Sequence, residues 1–205
     1  EKLLAYEIGY RHQLSQQASI DMTGFINDYD QLRDLSLGAF TLTTGLPRQL
    51  IAPVLMNNRA TAFTYGFETS IDWKPRHNWR LQGSYSFLDM HVTSNVLLQR
   101  SDPTTGGADK ISPQHRLSLR SNYDFSEKLQ LNLWLRYVDA IPFYNISNYV
   151  TMDAKLLYKP LKNTEIFIVG QNLFSQNHRE FVSDTIPTTA ATIPRGVYVG
   201  VQWRF

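Results

Sequence analysis

The sequence predicts an all-β chain: an antiparallel, up-and-down transmembrane β-barrel segment of about nine strands belonging to a larger barrel. Three observations predict it. Hydrophobicity alternates with period two over runs of 10 to 16 residues, aromatic rings collect near the ends of those runs, and the connectors alternate between short and long.

Composition narrows the class first. Of 205 residues, 42% are hydrophobic, 13% aromatic and 19% charged, too few charges and too many rings for a disordered tail or a coiled coil. A formal charge of +2 excludes a nucleic-acid groove and a polybasic membrane tether as the organising feature. With no cysteine there is no disulfide framework and no thiolate nucleophile or metal ligand. No apolar run is long enough for a membrane helix, and the mean hydropathy of -0.31 reads as soluble. A transmembrane barrel escapes both tests, because only alternate residues of each strand face lipid.

The strands fall at 3–13, 18–33, 60–74, 79–92, 113–125, 128–138, 149–159, 164–173 and 195–205. In 113–125, Leu117, Leu119, Ser121, Tyr123 and Phe125 share one parity, and Arg116, Ser118, Arg120, Asn122 and Asp124 the other. The next strand sets Leu129, Leu131, Leu133, Leu135 and Tyr137 against Gln130, Asn132, Trp134, Arg136 and Val138. Phe63 to Trp73, Met152 to Tyr158 and Val197 to Phe205 repeat the pattern. Over these five strands none of 25 residues on the apolar face is charged, against ten of 23 on the opposite face. In 164–173 the pattern leaves the inward face open, because Ile166 and Ile168 compete with Phe167 and Val169.

A soluble antiparallel sandwich also alternates, with one face on its core. Its strands usually have about 5 or 6 residues, however, whereas a tilted membrane strand needs about 9 to 11. Trp73, Trp79, Tyr123, Tyr137, Tyr158 and Trp203 stand at or near strand ends, where an interfacial girdle places rings. The connectors 14–17, 75–78, 126–127 and 160–163 are short and carry turn chemistry such as Lys74-Pro75 and Lys159-Pro160. The stretches 34–59, 93–112, 139–148 and 174–194 are long. Short turns on one rim and long loops on the other give the orientation of an outer-membrane barrel, with the C-terminus at the periplasmic rim. Nine strands is an odd number where bacterial single-chain barrels have even ones, so the chain is expected to be part of a longer barrel.

Several segments sharpen this expectation: Tyr6-Glu7-Ile8-Gly9-Tyr10, Gly24-Phe25-Ile26-Asn27-Asp28-Tyr29-Asp30, Tyr65-Gly66-Phe67-Glu68, Gly170-Gln171-Asn172-Leu173-Phe174 and the ending Val199-Gly200-Val201-Gln202-Trp203-Arg204-Phe205. In order and spacing they resemble the C-terminal barrel portion of a TonB-dependent outer-membrane receptor. The resemblance implies that residues 1–205 are the last nine strands of a barrel of about 22, with the plug domain and earlier strands absent. It implies a receptor in the outer membrane of a Gram-negative bacterium, not an enzyme, that takes up a scarce ligand, most often a ferric siderophore or similar iron chelate. Energy comes through the TonB complex, which is reached through the plug that this stretch lacks. Membrane lipid is the other partner, and no cofactor is implied. Val201, Trp203 and Phe205, on one face of the last strand, resemble the C-terminal signal read by the barrel-assembly machinery. An aromatic girdle alone also accounts for them.

Residue chemistry adds candidates. Glu68, Arg116, Arg120, Asp124 and Arg136 are expected to line the lumen, against a plug, water or a charged pore. Arg100, Phe143, Tyr144 and Phe181 offer rings and a cation for ligand capture at the loop rim, and ordinary loop packing accounts for them equally. His178 is the loop imidazole to which metal or haem ligation is open, although no second ligand stands at the right spacing. Asp28, Asp30, Asp89 and His91 resemble the carboxylate and imidazole groups of the omptin rim proteases. Their parity turns both pairs outward, so no catalytic residue is assigned. Two alternatives to the receptor remain: a small self-contained barrel acting as a passive pore or adhesin, and a rim protease.

Overall fold

The computed structural model describes residues 1–45, 47–93, 110–174, 177–182 and 191–205. Nine strands pair with their sequence neighbours in one antiparallel sheet. They are β1 (Lys2–Ser15), β2 (Ala18–Leu37), β5 (Val54–Arg76), β6 (Trp79–Thr93), β7 (His115–Ser126), β8 (Leu129–Val138), β9 (Tyr149–Leu161), β10 (Thr164–Gln171) and β13 (Gly196–Trp203). Two minor pairs sit on the long connectors: β3 (Thr41–Leu42) with β4 (Leu50–Ile51), and β11 (Asn177–His178) with β12 (Ile193–Pro194). Turns at 16–17, 77–78, 127–128 and 162–163 close one rim, and every long connector leaves from the other. The sheet is open: among the described residues β1 and β13 each pair on one side only.

The sheet is built inside out for water. Among the described residues the only buried apolar ones are Ala60, Ala62, Pro113, Ile146, Leu157 and Val169. Ile8 is 79% exposed, Leu119 45% and Val199 66%, all on the same face. In water that face would forfeit about 25 cal/mol for each Å² of apolar surface left uncovered. In hydrocarbon it costs nothing, and the backbone N–H and C=O groups of paired strands are already satisfied by their neighbours.

The register fixes which residues share each face. Ile71, Gly83, Leu119, Leu135 and Met152 lie in one row of directly opposed residues across five strands. One residue along each strand, the row Asp72, Gln82, Arg120, Trp134 and Asp153 points to the other side. The sequence pattern left β10 open, and the structure resolves it. Ile166 and Ile168 oppose Tyr158 and Leu156 on one side and Val201 and Val199 on the other, so they belong to the apolar face. Phe167 turns to the polar face, with the Lys155 ammonium 4.6 Å from its ring centre. Gly200, opposite Phe167, leaves room for the ring, and a Cβ there would collide with it.

Several strand bounds differ from the expected ones. The stretch 34–59, expected as a loop, is partly strand, because β2 runs on to Leu37 against β5 from Val54. The extension begins at an irregularity where Gln31 takes a positive φ of 59° and the register shifts. The fully buried Asp34 then accepts the Arg59 backbone N–H at 3.0 Å and faces the Arg59 guanidinium at 3.4 Å. β7 starts at His115, after Pro113, which has no N–H to give a ladder. β10 stops at Gln171, where Asn172 turns left-handed with φ 53°. β13 ends at Trp203, opposite the first residue of β10, so the expected span 195–205 is shortened and Phe205 projects beyond the ladder, fully exposed.

Candidate functional site

The polar wall follows from the alternation. Arg120 on β7 stands directly opposite Trp134 on β8, and Arg136 lies two residues further along β8 on the same face. The two guanidinium carbons both lie 4.2 Å from the centre of the Trp134 ring. Each contact of this kind is worth about 0.5–2 kcal/mol according to how dry it is. The indole Nε1–H is donated to Ser118 Oγ at 2.8 Å, which fixes the ring. Arg136 Nη2 donates to Asp153 Oδ2 at 2.8 Å, while its Nε is buried without a partner among the described residues.

Of the residues expected to line the lumen, Glu68, Arg116, Arg120, Asp124 and Arg136 all fall on this face. They do not form one cluster. Glu68 and Arg116 share a row with Ser86 between them, and together with Trp134 and Arg136 they line a cavity of about 550 Å³. Asp124 sits at the short-turn end, beside the Asn78 turn whose Nδ2 donates to its backbone carbonyl at 2.8 Å. On the neighbouring strands Arg80 pairs with Asp72, and Arg11 with Asp21, so the wall carries both signs of charge.

The long-loop rim is organised by Asn172. Its backbone N–H donates to Asp153 Oδ1 at 2.9 Å, its side-chain Oδ1 accepts from Thr151 Oγ1 at 2.9 Å, and its Nδ2 donates to the Pro194 carbonyl at 3.0 Å. One 7% exposed residue therefore ties β9 to β12, and through Asp153 to Arg136. On the paired strand, His178 is 8% exposed, its ring centre 4.3 Å from that of Tyr149 and its Nε2 2.6 Å from Glu180 Oε1. His178 Nδ1 is buried without a partner among the described residues. A cavity of about 470 Å³ opens beside it, lined by Asn145, Asn148, Tyr149 and Arg179 among others.

Phe143, Tyr144 and Phe181, the rings offered for ligand capture, do not line the cavity beside His178. Phe143 and Tyr144 pack edge to face on each other at 5.1 Å in a 3-10 turn (Pro142–Tyr144), and neither lines the cavity. Phe181 is 72% exposed and also lies outside it, and Arg100 falls outside the described residues. Among the described residues no three His, Asp or Glu groups are placed to hold a metal. Trp134, Tyr149, Asp153 and Asn172 had no assigned role in the sequence. Only the Gly170-to-Phe174 segment flagged the last of them, and without a chemistry.

Asp89 and His91 lie on the apolar face, as parity implied, with Tyr65 Oη donating to Asp89 Oδ2 at 2.8 Å. Asp28 shares a row with Phe63 and His91 on that same face. The geometry of a rim protease is therefore absent from this group, whose members do not turn toward the polar side.

Comparison with known proteins decides the family. Residues 1–173 match the family model described as TonB dependent receptor-like, beta-barrel. The chain belongs to that family. Among solved structures similar to this receptor-barrel segment is the ferric-catecholate import receptor Fiu from E. coli K12, with a TM-score of 0.72 at 16% identity over 99% of this chain. The siderophore receptor PiuA from Acinetobacter baumannii has a TM-score of 0.73 at 18% identity over 98% of this chain. The copper transporter OprC has a TM-score of 0.63 at 13% identity over 99% of this chain. The chain spans 27%, 28% and 31% of those three proteins respectively. No curated protein matches it by sequence.

Proposed function

We propose that this chain is the C-terminal part, about nine strands, of an outer-membrane receptor in a Gram-negative bacterium. The plug domain and earlier strands lie outside residues 1–205. The whole protein takes up a scarce ligand, a ferric siderophore or similar iron chelate, with energy supplied through TonB. The observation that carries this reading is the family match over residues 1–173 on a sheet whose outward face is apolar and whose inward face bears stacked arginines. In the closed barrel Glu68, Arg116, Arg120, Asp124 and Arg136 face the lumen, and the cavity beside His178 and Arg179 faces the arriving ligand. Arginine suits this task because it stays charged and recognises carboxylates and phenolates through a planar fork. Val201 and Trp203, outward on the last strand, with the projecting Phe205, serve as the signal for barrel assembly.

The test is uptake of radioactive iron carried by purified siderophores into cells that differ only in the full-length gene. Uptake that needs both this gene and an intact TonB complex supports the proposal. Gene-dependent uptake that persists without TonB contradicts it and marks a passive pore.

A further inference from the structure

The short-turn rim carries one sign of charge. Its turns are Gln16-Gln17, His77-Asn78, Glu127-Lys128 and Lys162-Asn163, with Arg76 just before the second and Arg204 just after the last strand. Arg76, Lys128, Lys162 and Arg204 are exposed, and none of their side chains has a hydrogen bond or ion pair among the described residues. Glu127 is the one acidic side chain in those turns. Further up the wall the cations are already paired: Arg80 is held by Asp72, and Lys159 faces Glu165 at 3.8 Å.

Each of the four cations stands beside a ring of the lipid face. Arg76 is directly opposite Trp79, whose ring meets Tyr123 edge to face at 6.0 Å. Tyr123 in turn meets Phe125 at 4.8 Å, three residues before Lys128. Lys162 leads through Asn163 into Thr164, which opposes Trp203. Arg204 lies between Trp203 and Phe205, whose ring centres are 5.8 Å apart, and its backbone N–H donates to the Asn163 carbonyl at 2.9 Å. Rings of this kind settle at the boundary between hydrocarbon and water, so they hold these cations at the level of headgroup phosphates. Successive turns are two strands, or about 9.6 Å, apart, so the charges are strung along the membrane edge and not gathered in one cluster.

We propose that the short-turn rim selects anionic phospholipids, of the phosphatidylglycerol type, in the leaflet on its side of the membrane. The guanidinium and ammonium groups donate to phosphodiester oxygens, and the rings beside them cover the glycerol and the upper acyl chain. A zwitterionic lipid presents the same phosphate but brings its own ammonium, which these cations repel. An acidic protein is the poorer partner, because it needs the charges collected on one surface turned away from the bilayer, whereas here they alternate with interfacial rings along its edge. The opposite end of the lipid face bears Asp28 and Asp89, so the selection belongs to one rim only. The proposal rests on the sheet spanning a membrane and is independent of TonB and of what the receptor transports.

The experiment is native mass spectrometry of the full-length protein, released from detergent with phosphatidylglycerol or phosphatidylethanolamine added. Phosphatidylglycerol is expected to be retained in preference, and the triple variant Arg76→Gln, Lys128→Gln, Lys162→Gln is expected to lower its retention about tenfold while leaving phosphatidylethanolamine unchanged. All three substitutions lie in exposed turns, and Arg204 is kept so that the last strand is untouched. Equal retention of the two lipids by the unaltered protein overturns the proposal without recourse to the variant. An undiminished preference for phosphatidylglycerol in the triple variant overturns it as well.

Discussion

Asn172 and Asp153 form the joint between the rim and the wall: the Asn172 backbone N–H binds one Asp153 oxygen at 2.9 Å while Arg136 binds the other at 2.8 Å. Because Asn172 also holds the Pro194 carbonyl, a loop strand and a mid-wall arginine share one carboxylate as their common anchor.

Replacing Asn172 removes two side-chain hydrogen bonds and leaves a positive φ that alanine resists. Asn172→Ala is expected to cost about 2–4 kcal/mol in denaturant unfolding of the full-length protein. Asn172→Gly, which tolerates the φ, is expected to recover part of that loss but not the attachment of β12. Limited trypsin digestion at Arg179 should accelerate in both variants, and unchanged cleavage would show that the joint does not hold the loop.

The Trp134 stack gives an optical reporter. Arg120→Met and Arg136→Met each remove one guanidinium from over the indole, so its emission in a variant with the other tryptophans replaced should shift. Arg136→Met is expected to be the more destabilising, because it also takes the paired cation from the Asp153 carboxylate, whose side chain is 20% exposed and keeps only the Asn172 N–H. Equal stability of the two variants would contradict the pairing.

A single arginine on the apolar face tests the solvent that covers it. Leu133→Arg, midway along β8, is expected to cost about 2–4 kcal/mol in lipid, and Asn132→Arg on the opposite face close to nothing. Similar costs at both positions, read from unfolding in lipid vesicles, would contradict the assignment of faces.

Gly200 and Phe167 are expected to be coupled. Gly200→Val crowds the Phe167 ring and should cost about 1–3 kcal/mol. In a Phe167→Ala background that cost should largely disappear, giving a non-additive cycle. Strict additivity would place the ring elsewhere.

Among the described residues the two outer strands β1 and β13 each leave one edge unpaired, and in a membrane each unpaired backbone group costs several kcal/mol. The isolated segment in micelles is therefore expected to associate through those edges. A monomer with a single cooperative unfolding transition would contradict this.

How much of this was legible in the sequence depended on how local the signal was. β7 and β8 announced both faces, because polar and apolar residues alternate, but for Ser121, from Arg116 to Phe125 and again from Leu129 to Leu133. β10 did not, since both of its faces are apolar. Its orientation is set by Lys155 above Phe167 and by the space at Gly200, which come from neighbouring strands. The extension of β2 was hidden behind the irregularity at Gln31, where the period breaks. At the rim, residue type alone grouped Phe143, Tyr144, His178 and Phe181. Of these the fold buries only His178, against Tyr149. Asn172 was unreadable as a joint because its partners lie 19 to 22 residues away in the chain.

The central claim is that this sheet spans a membrane with alternate residues in lipid, and cysteine scanning tests it most directly. The segment has no native cysteine, so single cysteines from Leu131 to Arg136 in the full-length protein can carry a fluorophore without background from these strands. A lipid-soluble quencher is expected to act at 131, 133 and 135 and to spare 132, 134 and 136. Quenching that is uniform along the strand, or strongest at the even positions, would contradict the account.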